Sequence, residues 1–333
     1  MRKSVKLMKY KLFFILSICL IFFISGCSDS RDRGDVSMKN EKNTKEYYTR
    51  NSTIEEVAGS PLFEDYGRLI FPTDNQFYSG TTLSDIDLTW YNNIDSDKTV
   101  EIANYFRDSV LSGETIFYDI YTEEEKALDP EKRNTGLFFF RGDPEEKFAV
   151  CNAGGGFAYV GAIHDSFPHA LELSKKGYNA FALIYRPNAQ SACEDLARAI
   201  SFIFEHAEEL QIDTDCYSLW GGSAGARMSA WLGSYGPSAF GGDDIPRPGT
   251  VVMQYTGHSD YTKNDPPTFA CVGENDWIAD WHTMQRRINA LNSLGIPTEF
   301  HHYPGLSHGF GLGTGTAAEG WLDEAVSFWE RQM

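Results

Sequence analysis

Between residue 137 and the C-terminus, short apolar runs alternate with stretches in which apolar positions recur at helical spacing. The apolar runs predict strands at 137–140, 148–151, 179–185, 216–220, 250–255, 268–272 and 298–303. The amphipathic stretches predict helices at 166–176, 193–210, 226–232, 280–294 and around 321–329. This alternation is typical of α/β proteins, in which helices cover both faces of a mainly parallel sheet. Such sheets bind ligands at the carboxyl ends of their strands, so candidate chemistry is expected there.

The part of the chain before residue 137 has a less regular pattern. One amphipathic helix is predicted at 99–111, with apolar positions at helical spacing. No second linker or internal repeat separates this part from the rest of the chain, so we predict one domain at 59–333. Residues 59–136 are interpreted as its N-terminal cover, and the role of this cover is left open.

Residues 1–26 have the pattern of an export signal. Basic residues precede an unbroken apolar run at 12–24, which is too short to span a bilayer comfortably as a permanent helix. The following Ile24-Ser25-Gly26-Cys27 resembles the lipobox of bacterial lipoproteins. This resemblance implies that Cys27 is acylated and that lipid anchors the mature chain in the cell membrane, on its extracytoplasmic face. Residues 27–58 are mostly polar and predict a disordered tether.

The charge balance limits the partners of the chain. Its net charge of −18 becomes −23 when the five positive charges of the predicted signal are removed. A protein with so large a negative charge is not expected to bind nucleic acids or other anionic polymers. The four cysteines after Cys27 lie mostly in apolar runs and lack metal-ligand spacing, so we expect buried thiols, no metal and no cofactor. The pattern leaves the oligomeric state open.

The segment around Ser223 carries the strongest chemical signal. Gly221-Gly222-Ser223-Ala224-Gly225 fits the G-x-S-x-G pattern between a predicted strand and a predicted helix, as that pattern requires. A serine hydroxyl is a weak nucleophile, and a sharp turn exposes it to a histidine base. Glycines on both sides tolerate the crowded backbone. We therefore predict Ser223 as a nucleophile.

Candidate partners for this serine follow the ends of other predicted strands. A run of three glycines at 154–156 comes after the strand at 148–151, where bare amides suit the oxyanion of a tetrahedral intermediate. His308 lies in a loop after the last predicted strand, a position that suits a general base. A nucleotide-binding turn is the alternative for the glycine run, although G-x-G-x-x-G is absent there.

An acid that orients the base is expected after the strand at 268–272. Asp276 is the candidate, because it stands three residues beyond Gly273 in the loop that follows the strand. Asp280 and Glu274 are the alternatives. Asp280 is better placed to cap the following helix, and Glu274 is expected to face solvent.

The order of these features along the chain is glycine-rich loop, serine, acid and histidine, which is the order of α/β-hydrolases. From about residue 137 onwards the chain therefore resembles that superfamily, and most closely its short bacterial esterases related to acetylxylan and feruloyl esterases and to hormone-sensitive lipase. The resemblance implies an α/β-hydrolase fold with catalytic Ser223, Asp276 and His308, and an oxyanion hole formed by the amides of Gly155, Gly156 and Ala224. Ala153 replaces the histidine of the lipase-type loop, so the carbohydrate-esterase branch fits better.

The expected activity is hydrolysis of short acyl esters, with acetyl groups on carbohydrate as the leading substrate. Twelve residues at 256–267 join two predicted strands where many α/β-hydrolases insert a lid, so no large lid is expected there. Phe157, Tyr159 and Trp277 are candidate pocket side chains, with ordinary core packing as the alternative for each.

Two other functions are compatible with parts of the pattern. Serine peptidases of the prolyl-oligopeptidase type share the order of the triad, but they usually add a large propeller, for which the residues before 137 are too few. A surface-binding lipoprotein without catalysis is the second alternative. It gives no reason for the nucleophile, acid, base and amide loop to be present together.

Overall fold

The computed structural model of the protein describes residues 46–92 and 94–333. The predicted export signal, Cys27 and most of the predicted tether lie outside the described residues. The strands are β1 Tyr78–Ser79, β2 Asp87–Leu88, β3 Phe117–Tyr118, β4 Gly136–Phe140, β5 Glu146–Asn152, β6 Asn179–Ile184, β7 Ile212–Gly222, β8 Thr250–Gln254, β9 Thr268–Gly273 and β10 Thr298–Tyr303. The helices are α1 Ile54–Ala58, α2 Ser96–Leu111, α3 Glu123–Leu128, α4 Ser166–Lys175, α5 Ala189–Glu205, α6 Ala207–Leu210, α7 Ala224–Tyr235, α8 Trp281–Ser293 and α9 Trp321–Glu330.

An 8-stranded sheet forms the centre of the domain, with the spatial order β10-β9-β8-β7-β5-β6-β4-β3. Neighbouring strands from β5 to β10 run parallel, whereas β4 pairs antiparallel with β6 and β3 antiparallel with β4. The residues of β4, β6, β8 and β9 are all buried, because helices cover both faces of the sheet. The predicted mainly parallel sheet is confirmed.

Every strand predicted from residue 137 onwards is present, as β4 to β10. The helix predicted at 193–210 begins earlier, at Ala189, where the Asn188 side chain accepts from the amides of Gln190 and Ser191. It divides into α5 and α6 at His206. Asp280 caps α8 by accepting from the His282 amide, as its position in the sequence predicts.

Folded structure begins earlier than the predicted tether allows. Helix α1 lies inside the segment assigned to the tether and buries Ile54 and Val57. Thr53 and Glu56 form a reciprocal capping box at its N-terminus, which satisfies backbone donors that would otherwise lack partners. The prediction of disorder up to residue 58 was wrong. It followed the polar composition of the segment and overlooked two apolar residues, Ile54 and Val57, which anchor the helix in the core.

The prediction of buried thiols is confirmed for three of the four cysteines after Cys27. Cys151, Cys193 and Cys271 are buried free thiols, and Cys216 is half-buried. Burial raises the pKa of Cys193 to about 12 and raises that of Cys151 further, so these thiols stay protonated. In the part of the chain that the structure describes, no helix combines the length and apolarity needed to cross a membrane.

Candidate active site

Ser223 stands on a sharp turn between β7 and α7. Its φ is 51°, a conformation that residues other than glycine seldom adopt. The flanking glycines allow this turn: a Cβ at Gly225 would lie 2.0 Å from the Asn152 carbonyl oxygen, and one at Gly221 would lie 2.3 Å from the backbone of Gly225. The backbone therefore requires both motif glycines, and strain at the serine accompanies its exposure at the end of the strand.

Ser223, His308 and Asp276 are joined by hydrogen bonds. His308 Nε2 lies 3.0 Å from Ser223 Oγ, and His308 Nδ1 lies 2.7 Å from Asp276 Oδ2. A carboxylate only accepts, so Nδ1 carries the hydrogen and Nε2 is left to accept the serine proton. The histidine and the aspartate are buried, which fixes their orientation. The structure thus brings together the three residues that the sequence singled out.

The loop around Asp276 fixes its carboxylate. Asp276 Oδ1 accepts from the amides of Ile278 and Ala279, both at 2.8 Å, which leaves Oδ2 directed at the histidine. The alternative acids are engaged elsewhere: Asp280 caps α8, and Glu274 Oε1 lies 2.6 Å from His302 Nδ1. Neither contacts His308.

The glycine run lies against the nucleophile. A Cβ at Gly154 would come within 2.9 Å of the Ser223 Cβ, so a larger residue there would displace the serine. Gly155 and Gly156 have φ values of 121° and 64°, which favour glycine. Gly156 and Ala224 line the same cavity as Ser223 and His308, and Gly155 belongs to the same turn, where its carbonyl accepts from the Ala158 amide.

The cavity in front of the serine has a volume of about 180 Å³. Phe157 is part of its wall and stacks on Trp231 at an interplanar angle of 14°. Trp277 is 77% exposed and precedes the wall residue Ile278, so it lies at the protein surface and not in the core.

The prediction of Tyr159 as a pocket residue was wrong. Its side chain is 1% exposed and packs against both Phe77 and Trp90, and its hydroxyl donates to the Thr89 carbonyl. It lines a separate cavity of about 190 Å³. Tyr159 is two positions after Phe157, and the turn at these residues sends the two rings to different surroundings.

One buried residue near the site was missed in the sequence. Asp165 is fully buried, and its carboxylate accepts from the Gly154 amide at 2.6 Å, from the Tyr255 hydroxyl at 2.6 Å and from the Tyr91 hydroxyl at 3.0 Å. Burial and the Asp165 charge raise the pKa of both tyrosines well above the usual value, so both hydroxyls remain donors. Asp165 thereby anchors the first residue of the glycine run. An acidic residue inside a mostly apolar stretch, 157–171, was the signal that could have identified it.

The N-terminal cover contacts two loops of the site. Tyr91 reaches Asp165 behind the glycine run, and Asn92 donates its side-chain amide to the His308 carbonyl at 2.8 Å. The Asn92 backbone amide also donates to the Gly309 carbonyl at 3.2 Å. The cover therefore holds the loop of the base and the loop of the amides in place.

Within residues 46–92 and 94–333, no group of histidine, cysteine, aspartate and glutamate side chains has the arrangement of a metal site. The chemistry of the described site is that of a nucleophile, a base and an orienting acid. The fold and this site define a serine hydrolase with the α/β-hydrolase fold.

Comparisons with known proteins agree with that class. Residues 143–244 match the family model described as BD-FAE. Endo-1,4-beta-xylanase B of Butyrivibrio fibrisolvens is 25% identical over 210 residues, which are 50% of this chain and 33% of that protein. The chain thus matches about a third of the length of this relative.

Solved structures with the same fold include the acetyl ester-xyloside bifunctional hydrolase of Caldicellulosiruptor lactoaceticus, with a TM-score of 0.55 at 21% identity, covering 65% of this chain and 95% of that one. Esterase 2 of Thermogutta terrifontis has a TM-score of 0.52 at 18% identity, covering 59% and 89%. MGS-M1, an α/β-hydrolase from a Medee basin deep-sea metagenome library, has a TM-score of 0.52 at 22% identity, covering 60% and 92%. These likenesses confirm the α/β-hydrolase fold.

Proposed function

We propose that the protein is a serine carboxylesterase that removes short acyl groups, chiefly acetyl, from carbohydrate. The observation that carries this proposal is the hydrogen-bonded set of Ser223, His308 and Asp276, whose serine and histidine line a small cavity together with Gly156 and Ala224. A screen of nitrophenyl esters, acetylated xylan, feruloyl esters and proline peptides tests it. Hydrolysis of a proline peptide in preference to every ester would contradict it.

In the proposed acylation step, Ser223 Oγ attacks the ester carbonyl carbon while His308 Nε2 accepts the serine proton. The carbonyl π electrons move to the oxygen, which becomes an oxyanion. Collapse of this tetrahedral intermediate breaks the bond to the alcohol, and His308 returns its proton to the departing oxygen. Asp276 stabilises the positively charged imidazole and holds it in the orientation that both transfers require.

Deacylation repeats these steps with water. His308 Nε2 removes a proton from water, the resulting hydroxide attacks the acyl carbon, and the proton returns to Ser223 Oγ as the carboxylic acid leaves. The oxyanion forms twice, next to the amides of Ala224, Gly155 and Gly156. Removal of one such donor typically costs about 10²- to 10³-fold in kcat.

The surroundings of the serine favour a small acyl group on a bulky alcohol. The cavity is small, and the loop 256–267 between β8 and β9 contains no helix or strand that could cover it. Trp277 offers an exposed ring on the loop that follows Asp276, and a sugar face packs well on such a ring. The names of the xylanase relative and of the acetyl ester-xyloside hydrolase support the same substrate class.

The acyl-chain preference gives a direct prediction. Each methylene removed from water contributes about 0.8 kcal/mol, but this gain requires an apolar surface that covers the chain. Without a lid, we expect kcat/KM to be highest for acetyl or similarly short nitrophenyl esters and to fall beyond about four carbons. Steady-state kinetics across the ester series measure this. A maximum at eight or more carbons would show that another part of the chain buries the acyl group.

Location is a further part of the proposal. The lipobox-like sequence ending at Cys27 supports an acylated N-terminus and attachment to the extracytoplasmic face of the cell membrane. We expect the mature protein to partition into detergent, and Cys27→Ala to release it or block its processing. Mass spectrometry of the purified mature chain tests this, and an unmodified Cys27 inside a soluble product would overturn it.

A further inference from the structure

Arg227 shares the catalytic cavity with Ser223. It lies on α7 four residues after the serine, and this spacing places the two residues on the same face of the helix. The Arg227 side chain is half-buried and lines the cavity together with Ser223 and His308. A guanidinium carries a positive charge at every pH at which proteins fold, so a fixed charge stands beside the reacting atoms.

No side chain of the described residues forms an ion pair or a hydrogen bond with Arg227. Apart from Ser223, Arg227 and His308, the residues that line the cavity have no charged side chain: Gly156, Phe157, Ala224, Tyr255, Thr256, Gly257, Ile278 and Ala279. The chain pairs other inward-facing guanidiniums closely. Arg186 lies 2.8 Å from Asp195, and Arg287 lies 2.5 Å from Asp265. Arg227 differs from these two arginines in having no acidic partner among residues 46–92 and 94–333, so its charge is available to a ligand.

His258 lies close enough to Arg227 for the positive charge of the guanidinium to act on its ring. The ring is buried edge-on against Trp231, and its Nε2 has no hydrogen-bond partner among the described residues. Burial, followed by the positive charges of Arg287 and Arg227, lowers the pKa of His258 to about 3. The charge of Asp260 also acts on His258, and the Asp260 Oδ2 accepts from the Tyr235 hydroxyl.

We propose that the ester substrate carries a carboxylate that pairs with Arg227 while its carbonyl carbon meets Ser223. This inference rests on the proposed esterase function and specifies its substrate class. The carboxylate belongs either to the acyl group, as in a half-ester of a dicarboxylic acid, or to the alcohol, as in an acetylated uronic acid. A carboxylate would supply Arg227 with the charge-assisted hydrogen bonds that the described residues do not provide.

The net charge of the chain limits the number of negative charges that this substrate carries. At −18, the protein as a whole repels polyanions, whereas Arg227 attracts a single carboxylate at short range. We therefore infer a substrate with one carboxylate near the ester and otherwise neutral groups. Such a substrate is repelled little by the negative net charge of the protein and still pairs with Arg227.

The test compares kcat/KM for matched charged and neutral esters. On the acyl side, nitrophenyl hemisuccinate is compared with nitrophenyl butyrate, which has the same chain length and leaving group. On the alcohol side, an acetylated methyl glucuronoside is compared with the acetylated methyl glucoside. The wild-type protein is expected to favour the charged ester on one of the two arms by about 10- to 100-fold, the range expected for hydrogen bonds to a charged group.

Arg227→Met is expected to lower that charged-to-neutral ratio by about tenfold or more. Arg227→Lys keeps the charge and is expected to retain part of the preference, since the ammonium lacks the planar fork. Arg286→Met is the matched control, because it removes one exposed arginine of α8 whose guanidinium bonds to Thr283. A ratio unchanged in Arg227→Met, or no preference for the charged ester on either arm of the wild-type test, would overturn the inference.

The wild-type comparison also separates this inference from the function on which it rests. Hydrolysis of neutral esters that is lost in Ser223→Ala, without any preference for charge, sustains the esterase and rejects the role of Arg227. Absence of hydrolysis for both neutral and charged esters rejects both. The wild-type ratios need no variant to fold, so the inference remains testable even if Arg227→Met is unstable.

Discussion

Ser223→Ala and His308→Ala are each expected to lower ester turnover by about 10⁴- to 10⁶-fold. The nucleophile and the base act as a unit, because the histidine that activates the serine also protonates the leaving alcohol, so loss of either approaches loss of both. The 3.0 Å contact between His308 Nε2 and Ser223 Oγ is the bond that each substitution removes. Steady-state kinetics with a nitrophenyl ester, together with thermal unfolding to confirm the fold, measure this.

Asp276→Asn is expected to cost somewhat less, about 10⁴-fold, because the histidine remains but loses its correct orientation and tautomer. Asp280→Ala is the matched control: it removes the cap of α8, at about 1 kcal/mol of stability, and leaves the triad intact. His302→Ala serves the same purpose for the base, since His302 bonds to Glu274 outside the site. Activity retained in Asp276→Ala and lost in Asp280→Ala would show that Asp280 is the acid.

Asp165→Ala is expected to destabilise the protein by about 3 kcal/mol and to lower kcat at least tenfold. The substitution leaves the Gly154 amide and the hydroxyls of Tyr91 and Tyr255 without their shared acceptor. Each buried donor left unpaired costs about 1–3 kcal/mol, and removal of the buried charge offsets only part of that sum. Because Gly154 begins the glycine run, the amides proposed to stabilise the oxyanion lose their anchor. Denaturant unfolding and single-turnover kinetics measure the two effects.

Two milder variants separate the roles of Asp165. Tyr255→Phe removes one of the three donors and is expected to cost about 1 kcal/mol. Asp165→Asn keeps an oxygen for Gly154, and its amide can donate to the Tyr255 oxygen, so it is expected to retain most of the stability. Wild-type values of kcat and of unfolding free energy in Asp165→Ala would refute the anchoring role.

The central sheet was open to prediction because its strands are buried on both faces. Strands such as β6 and β9 consist of buried residues throughout, so each appears in the sequence as a continuous apolar run. The short strands of the N-terminal cover could not be found in this way. β1, β2 and β3 have two residues each, too few to display a period.

The triad was predictable because each member stands just beyond a strand and the parallel strands end at one edge of the sheet. Asp165 was not, because its partners come from distant parts of the chain: Tyr91 is separated from it by 74 positions and Tyr255 by 90. Of the two neighbouring residues predicted to line the pocket, Phe157 lines it and Tyr159 does not, and the reason is local. Phe157 has a φ of 57°, and the turn around it sends Phe157 into the cavity and Tyr159 against the cover.

The contact between Asn92 and His308 has a consequence for the kinetics of folding. The two residues are 216 positions apart, so the hydrogen bond forms only when the N-terminal cover and the C-terminal part of the domain have come together. Closing so long a loop carries an entropic cost, and contacts between distant positions are slow to form. A refolding chain should therefore regain its sheet before it regains turnover. Recovery of turnover, more than recovery of secondary structure, would mark completion of the native state.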